Sequence, residues 1–297
     1  MRTIVTAVLL SLCVVARADR VYATVQWPGW TIETTDMIPH GETSKYPIEN
    51  MIDGDPRTAW VYSKPVPYEG EDLYTYKVAG SAYAILLKPD KPVLLDGIRL
   101  MNGYNKSQAI FNRNNRVVKL DIYENDHLSE HKATKIKTVA LSDKMGWHNI
   151  SLPARKYKGL VLVIRGQVEG RDRDTCVSEL QLVSKGRDLN LSRTPAYLRN
   201  DGDDCGCGST WSVVSREKVL AETREMGWPS LSPDGRYAAG IGADDRVWVV
   251  DLREAKVVGR WRVKPDEAER EIRWADSRNL GFLDYDTRRV VPRFKVR

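Results

Sequence analysis

The stretch "YPIENMIDGDPRTAWVYS", Tyr46 to Ser63, gathers Asp53, Asp55 and Thr58 around Gly54 and Pro56. Gly54 permits a backbone conformation that other residues resist, and Pro56 fixes the next turn and removes a donor. A chain turned in this way presents carbonyls inward, beside two carboxylates and a hydroxyl. Such a nest is hard and oxygen-rich, which suits Ca2+ with its roughly 6–8 oxygen ligands. Trp60 follows and can cover the apolar side. The competing expectation is that these residues only cap and close turns.

A second set of residues fits sugar binding, which uses aromatic faces against C–H groups and planar polar side chains for hydroxyls. Tyr62, Tyr68, Tyr74 and Tyr76 sit in a long segment after Trp60, broken by Pro65, Pro67, Gly70 and Gly80. Asn102, Tyr104, Asn105 and Lys106 form a compact second group. Loops on a rigid frame commonly carry function. Asn114 and Arg116 read instead as structural, with Arg113 and Arg116 pairing with acids across a sheet.

A third set invites an enzyme. "HLSEH", His127 to His131, matches H-x-x-E-H, in which two His on one helical face hold zinc and Glu130 acts as base. Both flanks read as strands, however, and no third ligand is signalled. No G-x-S-x-G elbow, P-loop or dinucleotide fingerprint is present. The chain is expected to be no enzyme, with a secreted zinc hydrolase as the lesser alternative.

The elements that must position these groups are short strands. "VYATVQW", "YAILLK", "LLDGIRLMNGY", "RVVKLDIYEND", "IKTVALS", "WHNISL", "GLVLVIRGQ" and "CVSELQLVS" are rich in Val, Ile, Leu and Tyr, with turn residues between them. No stretch holds a helical period. The pattern predicts an all-β chain beginning with a β-sandwich over residues 19–186. Residues 187–208 are polar and turn-rich and read as a linker.

From residue 209 the pattern changes. Strands are predicted at Ser230–Ser232, Tyr237–Gly242, Val247–Leu252 and Val257–Trp261, joined by the turn sequences "SPDGR" and "ADDR". Three more follow in "EIRWADSRNLGFLDYDTRRVVPRFKV", and "WSVVS" and "KVLAET" add two upstream. Residues 209–297 thus resemble an incomplete WD-repeat-like propeller segment of antiparallel strands. About nine strands cannot close a ring of 4–8 four-stranded blades. The open edges must be covered by the first domain or by a protein partner.

Composition narrows the class. Of 297 residues, 42% are hydrophobic and 29% charged, an ordinary globular balance. Residues 1–18 have a positive start, an apolar run and Ala16-Arg17-Ala18, the pattern of a cleavable export signal. Its loss removes Arg2 and Arg17 and lowers the formal charge from +6 to +4, too little to argue for nucleic acid. No other run approaches the length of a membrane span. The expected location is secreted or extracytoplasmic. There Cys176 can pair with Cys205 or Cys207, or those two with each other.

"YPIENMIDGDPRTAWVYS" resembles the opening signature of discoidin-like domains, also called coagulation-factor C-type domains, and "DTCVSELQLVS" resembles their closing strand. "IRLMNGYNKSQAIFNRNNRVVKLDIYEND" is similar to one branch, the translocation domain of the streptococcal NAD glycohydrolase. The resemblance covers about residues 40 to 184. It implies a jelly-roll β-sandwich with a glycan-binding role and no catalysis, since nothing here matches that toxin's enzymatic domain. It also implies a structural Ca2+ held by Asp53, Asp55, Thr58 and Glu179, the last near the closing strand. The expected function is a secreted non-catalytic protein that binds glycan or another surface ligand. The alternative is an assembly role for the open propeller-like edges.

Overall fold

The computed structural model describes residues 22–35, 46–62, 83–125, 133–189, 191, 195–200, 210–215, 218–224, 227–264, 267, 270–284 and 286–296. It is all-β apart from two short helical turns. The expected export signal, Tyr68, Tyr74, Tyr76, the His127–His131 motif, Cys205 and Cys207 lie outside the described residues.

The N-terminal part holds eleven strands: β1 (Tyr22–Trp27), β2 (Trp30–Thr35), β3 (Trp60–Tyr62), β4 (Tyr83–Pro89), β5 (Val93–Asn102), β6 (Asn115–Glu124), β7 (Thr134–Ala140), β8 (Trp147–Tyr157), β9 (Leu160–Val168), β10 (Thr175–Ser184) and β11 (Arg187–Leu189). One layer runs β1-β2-β4-β9-β6-β7, and the other is β8-β5-β10, with β3 and β11 also paired to β10. The start of β6 touches β10 in a short parallel pairing, Thr175 opposite Asn115, and so joins the layers.

Side-chain alternation explains the sandwich. In β10, Leu180 and Leu182 enter the core while Glu179 and Gln181 take the other face. Ile32, Ile85, Ile122 and Leu162 from the first layer pack with Ile98, Leu100, Ile150 and Leu180 from the second. Each such buried side chain stabilises by about 1.5–3 kcal/mol relative to exposure. Trp60, read as a lid on the apolar side of the Asp53 turn, is a core residue at 1% exposure.

The C-terminal part holds β12 (Tyr197–Asn200), β13 (Trp211–Ser215), β14 (Lys218–Glu222), β15 (Ser230–Leu231), β16 (Tyr237–Ile241), β17 (Arg246–Asp251), β18 (Lys256–Arg262), β19 (Ile272–Trp274), β20 (Asn279–Asp284) and β21 (Arg289–Lys295). β15–β18 form a four-stranded meander and β19–β21 a three-stranded one. β16 is buried throughout because both of its faces are covered. Ala238, Trp248 and Val250 pack toward β12–β14, whereas Tyr237, Ala239, Val247 and Val249 pack toward β19–β21.

Residues 187–208, which read as a linker, include two strands. β11 pairs with β10, and β12 pairs with β1, so the sandwich sheet continues without a break into β12–β14. The exposed edge of β1 is thereby covered from within the chain. Glu49 strengthens the junction by accepting from the Tyr197 hydroxyl at 2.5 Å and from Arg199 at 3.3 Å. Cys176, whose pairing the sequence leaves open, is a free, buried thiol. Burial pushes its pKa far above the usual thiol range, which makes it inert.

Candidate functional site

The loop-end of the sandwich is built by the turn at residues 50–58, the loop at 103–107, the loop at 142–146 and the start of β10. The first turn follows a 3-10 helix, Ile48–Met51, whose Ile48 and Met51 are buried. Gly54 adopts φ +81°, a conformation that favours glycine.

Three acceptors ring one hydroxyl. Thr58 Oγ1 lies 2.8 Å from Asp53 Oδ2, 2.8 Å from the Asp55 carbonyl and 3.3 Å from the Asn50 carbonyl. Its single hydrogen can serve one of them. The Asp55 carboxylate turns away to Arg57, which holds it down at about 2. Asp55 therefore offers its backbone oxygen to this nest, not the carboxylate that the sequence suggests.

Glu179 joins the set from β10, far away in sequence. The residue is 1% exposed, and neither carboxylate oxygen has a hydrogen-bond partner of ordinary geometry. Burial pushes its pKa up to about 8, and the adjacent Asp53 carboxyl adds to the rise, while the Gly54 N–H acts the other way. Buried carboxylates of this kind demand a counter-charge or a proton. No three His, Cys, Asp or Glu side chains converge among the described residues. The donor set here, two carboxylates with a hydroxyl and two carbonyls, is of the hard oxygen type that Ca2+ takes.

The second candidate group divides by burial. Asn102 is fully buried, donates to the Val117 carbonyl and meets His148 Nε2 at 3.0 Å. Asn105 donates to the Asn102 and Gly103 carbonyls and accepts from the Gly146 N–H. Both amides are used in bracing the loop rather than presented to a ligand. The Asn105 N–H also donates to Ser178 Oγ, and that hydroxyl donates to the Pro56 carbonyl, tying the two loops together. Gly103 at φ +70° allows this course, and any Cβ there would meet Phe111 and Arg116 at 2.7 Å.

What remains on the surface is Tyr104, Lys106, Tyr46, Pro56 and Arg57. Tyr104 is half-buried against Ala59, Val61 and Cys176, and stands edge-on to Tyr46 with ring centroids 6.3 Å apart. Lys106 is exposed, as is Arg57. β3 delivers the backbone of Tyr62 opposite Thr175, but the side chain lies outside the described residues. Tyr46 and Ser178 were missed at the sequence level, although Tyr46 opens the motif itself and could have been included.

Arg113 and Arg116 take the structural roles expected of them. Arg113 pairs with Asp172 at 2.8 Å, and Arg116 pairs with Asp143 at 2.8 Å over the Phe111 ring. Asn114 donates to the Ile110 carbonyl and closes α1 (Gln108–Arg113).

A two-layer β-sandwich whose connecting loops gather at one braced end is the architecture of a discoidin-like domain. Residues 29–183, just over half of the chain, match the family described as NAD glycohydrolase translocation F5/8 type C domain. The chain belongs to that family. No curated protein matches it. Among solved structures it is similar to a carbohydrate-binding module (CBM32-5) from Clostridium perfringens in complex with GalNAc-beta-1,3-galactose, at 16% identity and TM-score 0.36 over 52% of this chain and 95% of that one. It is also similar to the C-terminal domain of a Bacteroides fragilis chitobiase, at 17% identity and TM-score 0.38 over 56% of this chain and 99% of that one. A Ruminococcus gnavus GH29 fucosidase aligns at 13% identity and TM-score 0.37 over 52% of this chain, which spans 25% of the fucosidase. No helix among the described residues is long and apolar enough to cross a membrane.

Proposed function

We propose that the protein is an exported, non-catalytic glycan-binding protein that captures its ligand at the loop-end of the sandwich. The observation that carries this reading is the half-exposed Tyr46–Tyr104 pair beside exposed Lys106, held by the Asn105–Ser178–Pro56 chain of hydrogen bonds. Aromatic ring faces offer apolar contact to sugar C–H groups, and Lys106 offers donors to hydroxyls. A preorganised loop loses little entropy on binding. Tyr62, Tyr68, Tyr74 and Tyr76 are included as further sugar contacts on the ground of their residue type and sequence position. The stacked C-terminal sheets serve as scaffold.

Ca2+ is part of this proposal. Asp53, Thr58, Glu179 and the carbonyls of Asn50 and Asp55 would hold it. Bound there, the ion supplies the positive charge that Glu179 lacks and locks the turn that carries Pro56.

A glycan array probed with the full chain tests the reading. Wild type is expected to bind a defined set of glycans, and Tyr104→Ala and Lys106→Ala to lose at least tenfold in affinity with unchanged circular dichroism. Equal binding by wild type and both variants would overturn the assignment of this surface.

A further inference from the structure

A second cleft lies at the other end of β5. Its ten residues at roughly 3.3 Å each place the cleft on the order of 30 Å from Asn102–Lys106. The volume is about 670 Å3, within the range usual for ligand sites. Its walls come from both parts of the chain: the β1–β2 turn with Pro28 and Trp30, the β4–β5 turn with Asp90 and Lys91, the β15–β16 turn with Pro233 and Asp234, and Arg253 from the β17–β18 turn.

These walls are held rigidly. β1 pairs with β12 on the far side of the hairpin that carries Pro28. Gly235 at φ +67° approaches so closely that a Cβ there would stand 2.5 Å from Pro28 Cβ. The Asp90 carboxylate accepts from the Gly29 N–H across the floor of the turn. Asp234 accepts from the Ser232 hydroxyl and the Arg236 N–H. Arg253 is near enough to help keep Asp234 ionised but makes no ion pair with it. Among the described residues Lys91 likewise has no acidic partner, and both cations are exposed.

One oxygen of each acid in this cleft is thus engaged by its own turn, while the cations of Lys91 and Arg253 face solvent. We propose that the cleft binds an acidic sugar residue. Lys91 and Arg253 would take its carboxylate, guanidinium and ammonium being the usual partners of that group. Pro28, Pro233 and the edge of Trp30 meet its C–H surface. The free oxygens of Asp90 and Asp234 accept from its hydroxyls. The site is separate from the loop-end surface, and neither depends on the other.

The test is calorimetric titration of the full chain with a galacturonate trisaccharide, a neutral galactose trisaccharide and sodium acetate. The acidic trisaccharide is expected to bind at least tenfold more tightly than either of the others. Arg253→Ala and Lys91→Ala are each expected to weaken it at least tenfold, and Tyr104→Ala to leave it unchanged. Both cations are exposed, so these variants should fold, and a melting curve checks that. Absence of binding by the acidic trisaccharide, equal binding of the neutral one, or binding that survives both substitutions would each overturn the proposal. Loss on Tyr104→Ala alone would transfer the acidic ligand to the loop-end surface and overturn it as well.

Discussion

Replacing Glu179 by Gln should change the pH dependence of stability in a defined way. In the unfolded chain this carboxyl titrates near 4.5, and in the folded one near 8. Below pH 4.5 it is protonated in both states and costs nothing. Between the two values the folded protein keeps a proton that the unfolded chain has lost, so stability falls as pH rises, and above about 8 the loss levels off. At about 1.4 kcal/mol per pH unit, the full loss is on the order of 5 kcal/mol. For a chain of this size that is roughly 10 °C in Tm. Gln imitates the protonated form at every pH. In chelator, wild type and Glu179→Gln should melt together at pH 4, and the variant should melt higher at pH 8.5. Millimolar Ca2+ should restore wild type at pH 8.5, do little at pH 4, and leave the variant unchanged. Calorimetric or fluorescence melts over this range provide the readout. A wild-type to variant difference that is constant with pH would refute the reasoning about Glu179. A normal pH profile without any calcium effect would refute only the ion.

Two further substitutions probe the junction between the sandwich and the C-terminal sheets. Tyr197→Phe withdraws a hydroxyl donor from the buried Glu49 carboxylate and should cost about 1–3 kcal/mol in denaturant titration. Gly235→Ala forces a side chain into a positive-φ position against Pro28, and should cost about 1–3 kcal/mol in the same assay.

Much of the fold was legible because most strands announce themselves by composition and bounding turns. β10 and the paired runs of the C-terminal meanders are examples. β2 was harder, since "WTIETT" carries its alternation on two threonines and a glutamate beside a Pro-Gly turn. β12 could not be read at all from "AYLRN": it is a strand because β1 presents an unpaired edge, which is a tertiary cause. The six-residue α1 is too short to show a helical period.

The site was legible in part. The oxygen donors of the Asp53 turn follow from residue type, whereas the rotation of Asp55 toward Arg57 depends on a local ion pair that spacing does not reveal. Glu179 entered only through the family resemblance, because a contact so far away in sequence leaves no local signal. Asn102 and Asn105 looked like ligand contacts because amides suit hydroxyls. Asn102 is buried against His148, and Asn105, half-buried, spends its amide on the Asn102 and Gly103 carbonyls and the Gly146 N–H, which tertiary packing decides.

The central claim is that the loop-end of the sandwich captures sugar. A crystal structure of the full chain, grown with Ca2+ and the best neutral glycan of the array, tests it most directly. The account predicts sugar density in contact with Tyr104 and Lys106 and an ion beside Glu179. A neutral sugar bound on another surface, with Tyr46, Tyr104 and Lys106 left in solvent, would contradict it.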